Sequence, residues 1–233
     1  MCELVRSHGM PVSPLLRLLR GEKCREFVLS YQLEALYLAA PPAPFGDVAL
    51  LLLDTGLRVS EALSLEWGDV RLDPANGASF GYLTVRAGKS KNSKSRNVPI
   101  TARLSEMLKA LGPKKVGYVF QRDGGLPLYQ TWLNEQHRAV REQLKFPKDF
   151  VPHSLRHTYG TRLGESGADV FTIMKLMGHS SVTVSQRYVH PSPESVERAI
   201  GRLEAQNFAR LHEVGTKSGT VGDSVNVAIQ QVF

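Results

Sequence analysis

Helical spacing of apolar residues over most of this 233-residue chain, interrupted by one strand-like stretch, most constrains its fold. Leu104, Leu108 and Leu111, for example, recur about one turn apart and share one face of a helix. Residues 82–86 and 97–100 instead have the composition and alternation of strands, and a small, polar, basic stretch separates them. This pattern predicts a β-hairpin. We therefore predict a mainly α-helical protein with a small antiparallel β-sheet.

Glycine, proline and capping residues indicate where the helices begin and end. The apolar run Gly46 to Leu53 predicts a buried helix that ends at Thr55-Gly56, because glycine readily adopts the left-handed conformation that closes a helix. Asp169 can cap a helix that Gly178 ends. Further helices are expected over 25–39, from near Ser60, over 152–163, over a short segment capped by Ser180 or Ser181 that carries Tyr188, and over 194–209.

The charge balance limits the kinds of partner. The formal net charge is +7 and the isoelectric point is about 9.5, which favours a polyanion, either nucleic acid or an anionic membrane surface. The two cysteines, Cys2 and Cys24, form neither a disulfide framework nor a zinc-ligand pattern. The N-terminus has no apolar signal-peptide core, and the run Val48 to Leu53 is too short to span a bilayer. We expect a soluble, cytoplasmic protein without a membrane partner.

A turn between two expected helices places polar groups beside ordered backbone. Gly56 permits a tight turn, and Arg58 then lies just ahead of a helix N-terminus, an arrangement that suits a phosphate. Glu61 follows in the next turn and can orient Arg58. Taken alone, the segment is more often a helix–turn–helix whose arginine pairs with a surface acid.

The turn of the expected hairpin is strongly basic. It contains Arg86, Lys89, Lys91, Lys94 and Arg96, with no acidic residue among them. Such a hairpin can enter a DNA groove, neutralise phosphates and bring one lysine to a reacting atom. A charged turn that simply faces water is the more common fate of a lysine-rich loop.

A third segment runs from His153 to His157 and contains groups that can act on a phosphate or hold a metal. His153 and Arg156 are three residues apart and share a face of the expected helix. His153 and His157 have the spacing of two zinc ligands, but the metalloprotease motif needs a glutamate after the first histidine, where Ser154 stands. A metal site is therefore disfavoured, and a helix with polar residues facing water is the remaining alternative.

The fourth segment holds His179, just after a glycine that ends a helix, and Tyr188 further along. Taken alone, the histidine predicts a helix cap and the tyrosine a half-buried core residue. With the other three segments they fit one chemistry. Cleaving a phosphodiester without a metal requires a nucleophile, positive charge at the non-bridging oxygens and an acid for the departing oxygen. We expect neither a metal nor another cofactor.

Four stretches resemble the signature boxes of the tyrosine recombinase (phage integrase) family: TGLRVSEAL, GKSKNSKSRNVPI, HSLRHTYGT and LMGHSSVTVSQRYVH. The resemblance covers residues 29–203 and implies the catalytic-domain fold of that family. It assigns a supporting role to Glu61 and catalytic roles to Arg58, Lys91, His153, Arg156, His179 and the nucleophile Tyr188.

Within the basic hairpin, the resemblance separates one catalytic lysine from four expected DNA contacts. Lys91 is chosen as the catalytic lysine because its distance from Pro99 matches the family pattern. The expected DNA contacts are Arg86, Lys89, Lys94 and Arg96.

The resemblance implies a site-specific recombinase of a mobile element, acting on double-stranded DNA. Tyr188 would attack a DNA phosphate to give a 3′-phosphotyrosine and a free 5′-hydroxyl, without metal or ATP, in a tetrameric synapse. Two alternatives use the same residues: a DNA-binding fragment without strand exchange, and a type IB-like topoisomerase that reseals the same strand.

We expect three regions: a linker-like N-terminal segment over 1–28, the catalytic domain over 29–210 and a C-terminal tail over 211–233. The 1–28 segment resembles the linker before the catalytic domain, and not the N-terminal clamp domain that most family members carry. The tail is rich in Gly, Ser and Thr from Gly215 and then apolar. We expect it to dock onto an adjacent protomer.

Overall fold

A computed structural model describes residues 27–41, 43–87, 95–189 and 193–217. These residues form mainly helices, with one small antiparallel sheet, so the expected fold class is confirmed. In chain order the helices and strands are α1 (Tyr31–Ala39), α2 (Phe45–Thr55), α3 (Val59–Leu63), β1 (Val70–Arg71), β2 (Tyr82–Val85), β3 (Arg96–Pro99), α4 (Ala102–Ala110), α5 (Gln130–Gln143), α6 (Pro152–Glu165), α7 (Val170–Met177), α8 (Val182–Gln186) and α9 (Pro193–Lys217).

Three short antiparallel strands form the sheet, in the order β1-β2-β3. Strands β2 and β3 are the expected hairpin, and Leu83 pairs with Val98 in their register. Both side chains are fully buried, so one face of the hairpin packs on the core. Strand β1 has only two residues, too few for a recognisable alternation in the sequence. The turn with Lys89, Lys91 and Lys94 lies outside the described residues.

Helix α2 forms the centre of the hydrophobic core. Val48, Leu51 and Leu52 are at most 1% exposed, and the helix packs mainly against α6, α1 and α3. Each fully buried aliphatic side chain of this kind stabilises the fold by about 1.5–3 kcal/mol. Gly56 ends α2 in the left-handed conformation, with φ of 60°, as the sequence predicts. The conformation of Gly56 therefore fixes the direction in which the chain leaves α2.

A buried ion-pair cluster holds α6 against α1 and α2. Glu34 of α1 is 3% exposed and accepts hydrogen bonds from Arg103 (2.6 Å) and from Arg162 of α6 (2.5 Å). Asp54 near the end of α2 accepts hydrogen bonds from Arg103 and Thr101. Each guanidinium here meets a carboxylate, as buried charges require. The cluster therefore fixes the position of α6.

Helices α1 and α8 each differ at one end from the sequence-based expectation. Helix α1 begins at Tyr31, not near residue 25, because the Ser30 hydroxyl caps it by accepting from the N–H of Leu33 (3.3 Å). Helix α8 ends at Gln186, so Tyr188 lies in the turn that follows and not on the helix.

Helix α9 is longer than expected and continues through Gly215 to Lys217, so the first part of the expected tail is helical. A glycine inside a helix costs only about 1 kcal/mol, which good helix formers on either side can offset. Five large apolar side chains of α9 are each more than half exposed: Val196, Ile200, Leu203, Phe208 and Leu211. Within the described ranges, no helix is long and apolar enough to cross a membrane.

Candidate active site

The turn after α2 presents Arg58 at the edge of the site. Only glycine fits at position 56, since a Cβ there would come within 2.9 Å of the Tyr159 ring. Arg58 then caps α3, and Glu61 accepts hydrogen bonds from its backbone N–H (2.9 Å) and its guanidinium (3.0 Å). The expected pairing of Glu61 with Arg58 is therefore present. About half of the Arg58 side chain, 49%, stays exposed and can meet a ligand.

Arg156 is a buried cation without a partner carboxylate among the described residues. The residue is 4% exposed and donates to two backbone carbonyls, those of Gly56 (2.5 Å) and Met177 (2.6 Å). Burial, and then repulsion from Arg58, lowers its pKa to about 10, so Arg156 is still charged at neutral pH. A buried charge of this kind favours binding of an anion.

Three arginines from three parts of the chain converge on the C-terminal end of α7. Arg96 of β3 donates to the carbonyl of Leu176 (3.0 Å) and Arg58 donates to that of Gly178 (2.9 Å). Arg156 binds the carbonyl between them. The last carbonyls of a helix lack intrahelical partners and carry partial negative charge. They therefore hold the guanidinium groups close together without neutralising them.

The cluster at this end of α7 has a net positive charge. Three guanidinium groups face one carboxylate, that of Glu61, which also binds Arg96 (2.8 and 3.1 Å). The resulting excess of two positive charges balances the two negative charges that a phosphodiester carries once a phenolate has attacked it. Such an arrangement can bind a phosphate and stabilise its transition state.

Both expected histidines lie beside the arginines. His153 is in the first turn of α6, and desolvation followed by repulsion from Arg156 lowers its pKa. His179 follows the end of α7, and the same causes lower its pKa to about 4. The Nδ1 of His179 lies 2.8 Å from the Ser185 hydroxyl. When that hydroxyl donates, Nε2 carries the ring proton and is the hydrogen-bond donor of the ring.

Tyr188 is packed against α6, near His157 and His179. It is 7% exposed, and a Cβ at Gly160 would come within 2.7 Å of its ring, so the glycine makes room for it. Its hydroxyl lies 3.4 Å from Nδ1 of His157, and its ring is nearly parallel to that of His179, with centroids 6.2 Å apart. The structure thus brings Tyr188 together with His157 and His179.

Two residues near the site were missed in the sequence interpretation. His157 was considered only as a metal ligand, yet it follows His153 by one turn and precedes Gly160, so all three lie on the face of α6 that meets Tyr188. Arg187 is adjacent to Tyr188 and contributes to the lowered pKa values of both His153 and His179. Its position next to Tyr188 in the sequence was the available clue.

The two arginines of the hairpin have different surroundings. Arg86 has a side chain that is 59% exposed and pairs with Asp69 (2.7 Å) and Glu66 (3.2 Å). Arg96 has a side chain that is only 10% exposed and points to α7 and Glu61. Among the described residues, no group of three or more His, Cys, Asp or Glu could hold a metal ion.

The sequence of this chain is similar to those of a known family of proteins. Residues 28–195 match the phage integrase family. The tyrosine recombinase XerD of Corynebacterium glutamicum is 36% identical over 169 residues, which cover 67% of this chain and 52% of the relative. The chain spans about half the length of the curated relatives it matches.

Solved structures share the fold. The catalytic domain of bacteriophage HP1 integrase has a TM-score of 0.57 at 26% identity, over 75% of this chain and 93% of that one. The Tn1549 transposon integrase, in complex with circular intermediate DNA, has a TM-score of 0.60 at 21% identity, over 76% and 67%. The sequence match extends over the whole arginine, histidine and tyrosine cluster, and the chain therefore belongs to the phage integrase family.

Proposed function

We propose that this chain is the catalytic part of a site-specific recombinase, which cuts and rejoins double-stranded DNA in the cytoplasm through a covalent 3′-phosphotyrosine. The observation that carries the proposal is the excess of guanidinium charge close to a buried tyrosine. Those groups supply at the phosphate the positive charge that metal ions supply in other phosphoryl-transfer enzymes. The reaction then needs neither metal nor ATP.

In the first step, Arg58 and Arg156 bind the non-bridging oxygens of the scissile phosphate. The Tyr188 oxygen forms a bond to phosphorus, its proton passes to Nδ1 of His157, and the bond to the 5′-oxygen breaks. Lys91 donates a proton to that leaving oxygen. A 5′-hydroxyl from a partner strand then attacks the phosphotyrosine, which restores Tyr188 and rejoins the DNA. The phosphodiester bond energy is kept in the covalent intermediate.

The arginines offset the poor nucleophilicity of a phenol. A tyrosine has a pKa of about 10, so ionising it at neutral pH costs about 4 kcal/mol. One preorganised donor at a developing negative charge contributes about 2.7–4 kcal/mol to transition-state stabilisation. Arg58 and Arg156 together are sufficient for this cost.

A nicked suicide substrate tests the proposal, because it releases the 5′-fragment and traps the covalent intermediate. The full chain should form a DNA adduct that survives denaturing electrophoresis, in EDTA and without nucleotide. Tyr188→Phe should abolish the adduct and keep DNA binding, since only one hydroxyl is removed. An adduct that requires magnesium, or that persists in Tyr188→Phe, would contradict the phosphotyrosine proposal.

The same assay tests the choice of Lys91 among the hairpin lysines. Lys91→Ala should slow cleavage strongly, and a 5′-bridging phosphorothiolate should restore it, because a thiolate leaves without a proton donor. Lys89→Ala and Lys94→Ala are matched controls that should mainly weaken binding, each lowering the salt slope by about one at most. If the phosphorothiolate restored cleavage by Lys94→Ala and not by Lys91→Ala, Lys94 would be the proton donor.

We also propose that the protein assembles on DNA as a tetrameric synapse and that α9 docks onto a second protomer. The support is the exposed apolar side of α9, which has Val196, Ile200 and Leu203 at helical spacing. The expected tail residues after 217 lie outside the described residues. Ile200→Glu with Leu203→Glu should leave single-site cleavage intact and prevent a synapse from sedimenting on two-site DNA. A synapse that persists in this variant would exclude the docking role.

A further inference from the structure

Arg96 is held inside the protein although it stands at the end of the basic turn. It is the first residue of β3, two positions before the buried Val98, and its side chain shares that inward face. All three guanidinium nitrogens are engaged: Nε with the carbonyl of Leu176 and the two terminal nitrogens with Glu61. The C-terminal glycine of α7 lies against it, since a Cβ at Gly178 would come within 2.6 Å of the guanidinium.

Glu61 links Arg96 to Arg58. Its Oε1 accepts from the guanidinium of Arg58 (3.0 Å) and from that of Arg96 (3.1 Å). Its Oε2 accepts from the backbone N–H of Arg58 (2.9 Å) and from Arg96 (2.8 Å). Burial alone would raise the pKa of Glu61, but the hydrogen bonds from Arg96 and Arg58 bring it below its ordinary value. The carboxylate is thus fixed in one orientation by both arginines.

We propose that Arg96 is a positioning residue, which orients Arg58 through Glu61 and anchors the base of the basic hairpin to the end of α7. This inference rests on the proposed function and replaces a direct DNA contact as the role of Arg96. The side chain does not need to touch the phosphate. Its fork geometry matches a carboxylate bidentately, which a lysine cannot reproduce.

The two possible roles of Arg96 differ in what they change. A DNA contact contributes to affinity, so its loss weakens binding and lowers the salt slope by about one. A positioning residue contributes to the geometry of cleavage, so its loss lowers the rate at saturating DNA. A misplacement of about 1 Å can reduce the rate about 100-fold.

The test measures the single-turnover rate of adduct formation at saturating suicide substrate, and the DNA affinity over a range of salt concentrations. Arg96→Ala should cleave about 100-fold more slowly, with affinity and salt slope close to those of the unaltered protein. Arg71→Ala is the matched control from strand β1 of the same sheet, because the Arg71 guanidinium donates to the backbone carbonyls of Gly68 and Val70. It should retain the cleavage rate.

A neutral methylphosphonate at the scissile position separates positioning from general damage. This substrate lacks one of the charges that Arg58 neutralises, so the defects of Arg96→Ala and Arg58→Ala should shrink in parallel. Damage to the fold would slow both substrates equally. Arg96→Lys, which keeps the charge and loses the fork, and Glu61→Gln should show the same substrate-dependent rescue. They also carry the test if Arg96→Ala does not fold.

Three results would overturn the role of Arg96. The first is a full cleavage rate of Arg96→Ala at saturating DNA together with a reduced salt slope. The second is an equal defect of Arg96→Ala on the phosphodiester and the methylphosphonate substrates. The third is that the effects of Arg96→Lys and Glu61→Gln on the cleavage rate add in the double variant. The proposed function is judged separately, by the Tyr188-dependent adduct of the unaltered protein. That adduct can form normally while the inference about Arg96 fails.

Discussion

Helix α6 carries two arginines that have opposite electrostatic surroundings. Arg162, in its last turns, donates to the buried carboxylate of Glu34 (2.5 Å) and lies over the ring of Tyr31, 4.1 Å from its centroid. Arg156, two turns earlier, donates only to backbone carbonyls among its described partners. Within the described residues, Arg162 is hydrogen-bonded to a carboxylate, whereas Arg156 is buried without a hydrogen bond to one.

This difference separates a structural ion pair from a binding site. In the structural cluster, the carboxylates of Glu34 and Asp54 match the guanidinium groups of Arg103 and Arg162. A buried charge without such a match reduces stability until an anion arrives. The cluster around Arg156 can therefore bind an anionic ligand, which under the proposed function is the scissile phosphate.

Substitution of the unmatched arginine should have the largest effect on activity. Arg156→Gln removes a donor to the transition state, so the rate of adduct formation should fall about 1000-fold. The free energy of unfolding of Arg156→Gln should change little, because the loss of the arginine's hydrogen bonds is offset by the removal of an uncompensated buried charge. The suicide-substrate assay and urea unfolding measure the two quantities. A marked loss of stability with normal cleavage would reverse the assignment.

Substitution of the matched arginine on the same helix should have the opposite result. Arg162→Gln leaves the buried Glu34 with one guanidinium partner fewer, so the protein should be destabilised by about 3 kcal/mol. Under conditions where the variant is folded, its rate of cleavage per folded molecule should stay within a few-fold of the unaltered protein. If cleavage falls as far as in Arg156→Gln, the contrast between the two arginines is wrong.

The smallest expected effect is on the pH dependence of stability. The pKa of His179 is about 4 in the folded protein and about 6.5 in an unfolded chain. Between these values the unfolded chain binds a proton that the folded chain does not, so stability is complete above about pH 6.5 and declines as the pH falls toward 4. The slope should be less than about 1.4 kcal/mol per pH unit, since solvent screens the half-buried ring.

Two variants test the origin of that slope. His179→Gln should flatten the unfolding free energy between pH 7 and 5, because no proton is then taken up at this position. Arg156→Gln should flatten it in part, because repulsion from Arg156 is one cause of the lowered pKa. An unchanged slope in both variants would show that His179 is not the titrating group.

Local patterns predicted those parts of the site that depend on local sequence. The ends of α2 and α7 follow from Gly56 and Gly178, which can adopt the left-handed conformation. The pairing of Glu61 with Arg58 follows from their spacing within one turn. The hairpin follows from the alternation of apolar and polar residues along its strands. The same alternation places Arg96 and Val98, two residues apart, on the inward face of β3.

Long-range packing determines the parts that were not predicted. No local pattern shows that guanidinium groups from three elements bind three successive carbonyls of α7, because those elements are far apart in the chain. The contact between His157 and Tyr188 likewise requires α6 and the turn after α8 to be packed together. Charge and spacing in sequence identify candidate residues, and the fold decides which of them meet.

Mapping the tyrosine that becomes attached to DNA tests the central claim most directly. The trapped adduct would be digested with protease and nuclease, and the modified residue identified by mass spectrometry. The account predicts a nucleotide remnant on Tyr188. Tyr159 is disfavoured because burial raises its pKa to about 12, and Tyr129 lies at the start of α5 with Arg122 over its ring. A remnant on either of these two tyrosines, with Tyr188 unmodified, would contradict the account.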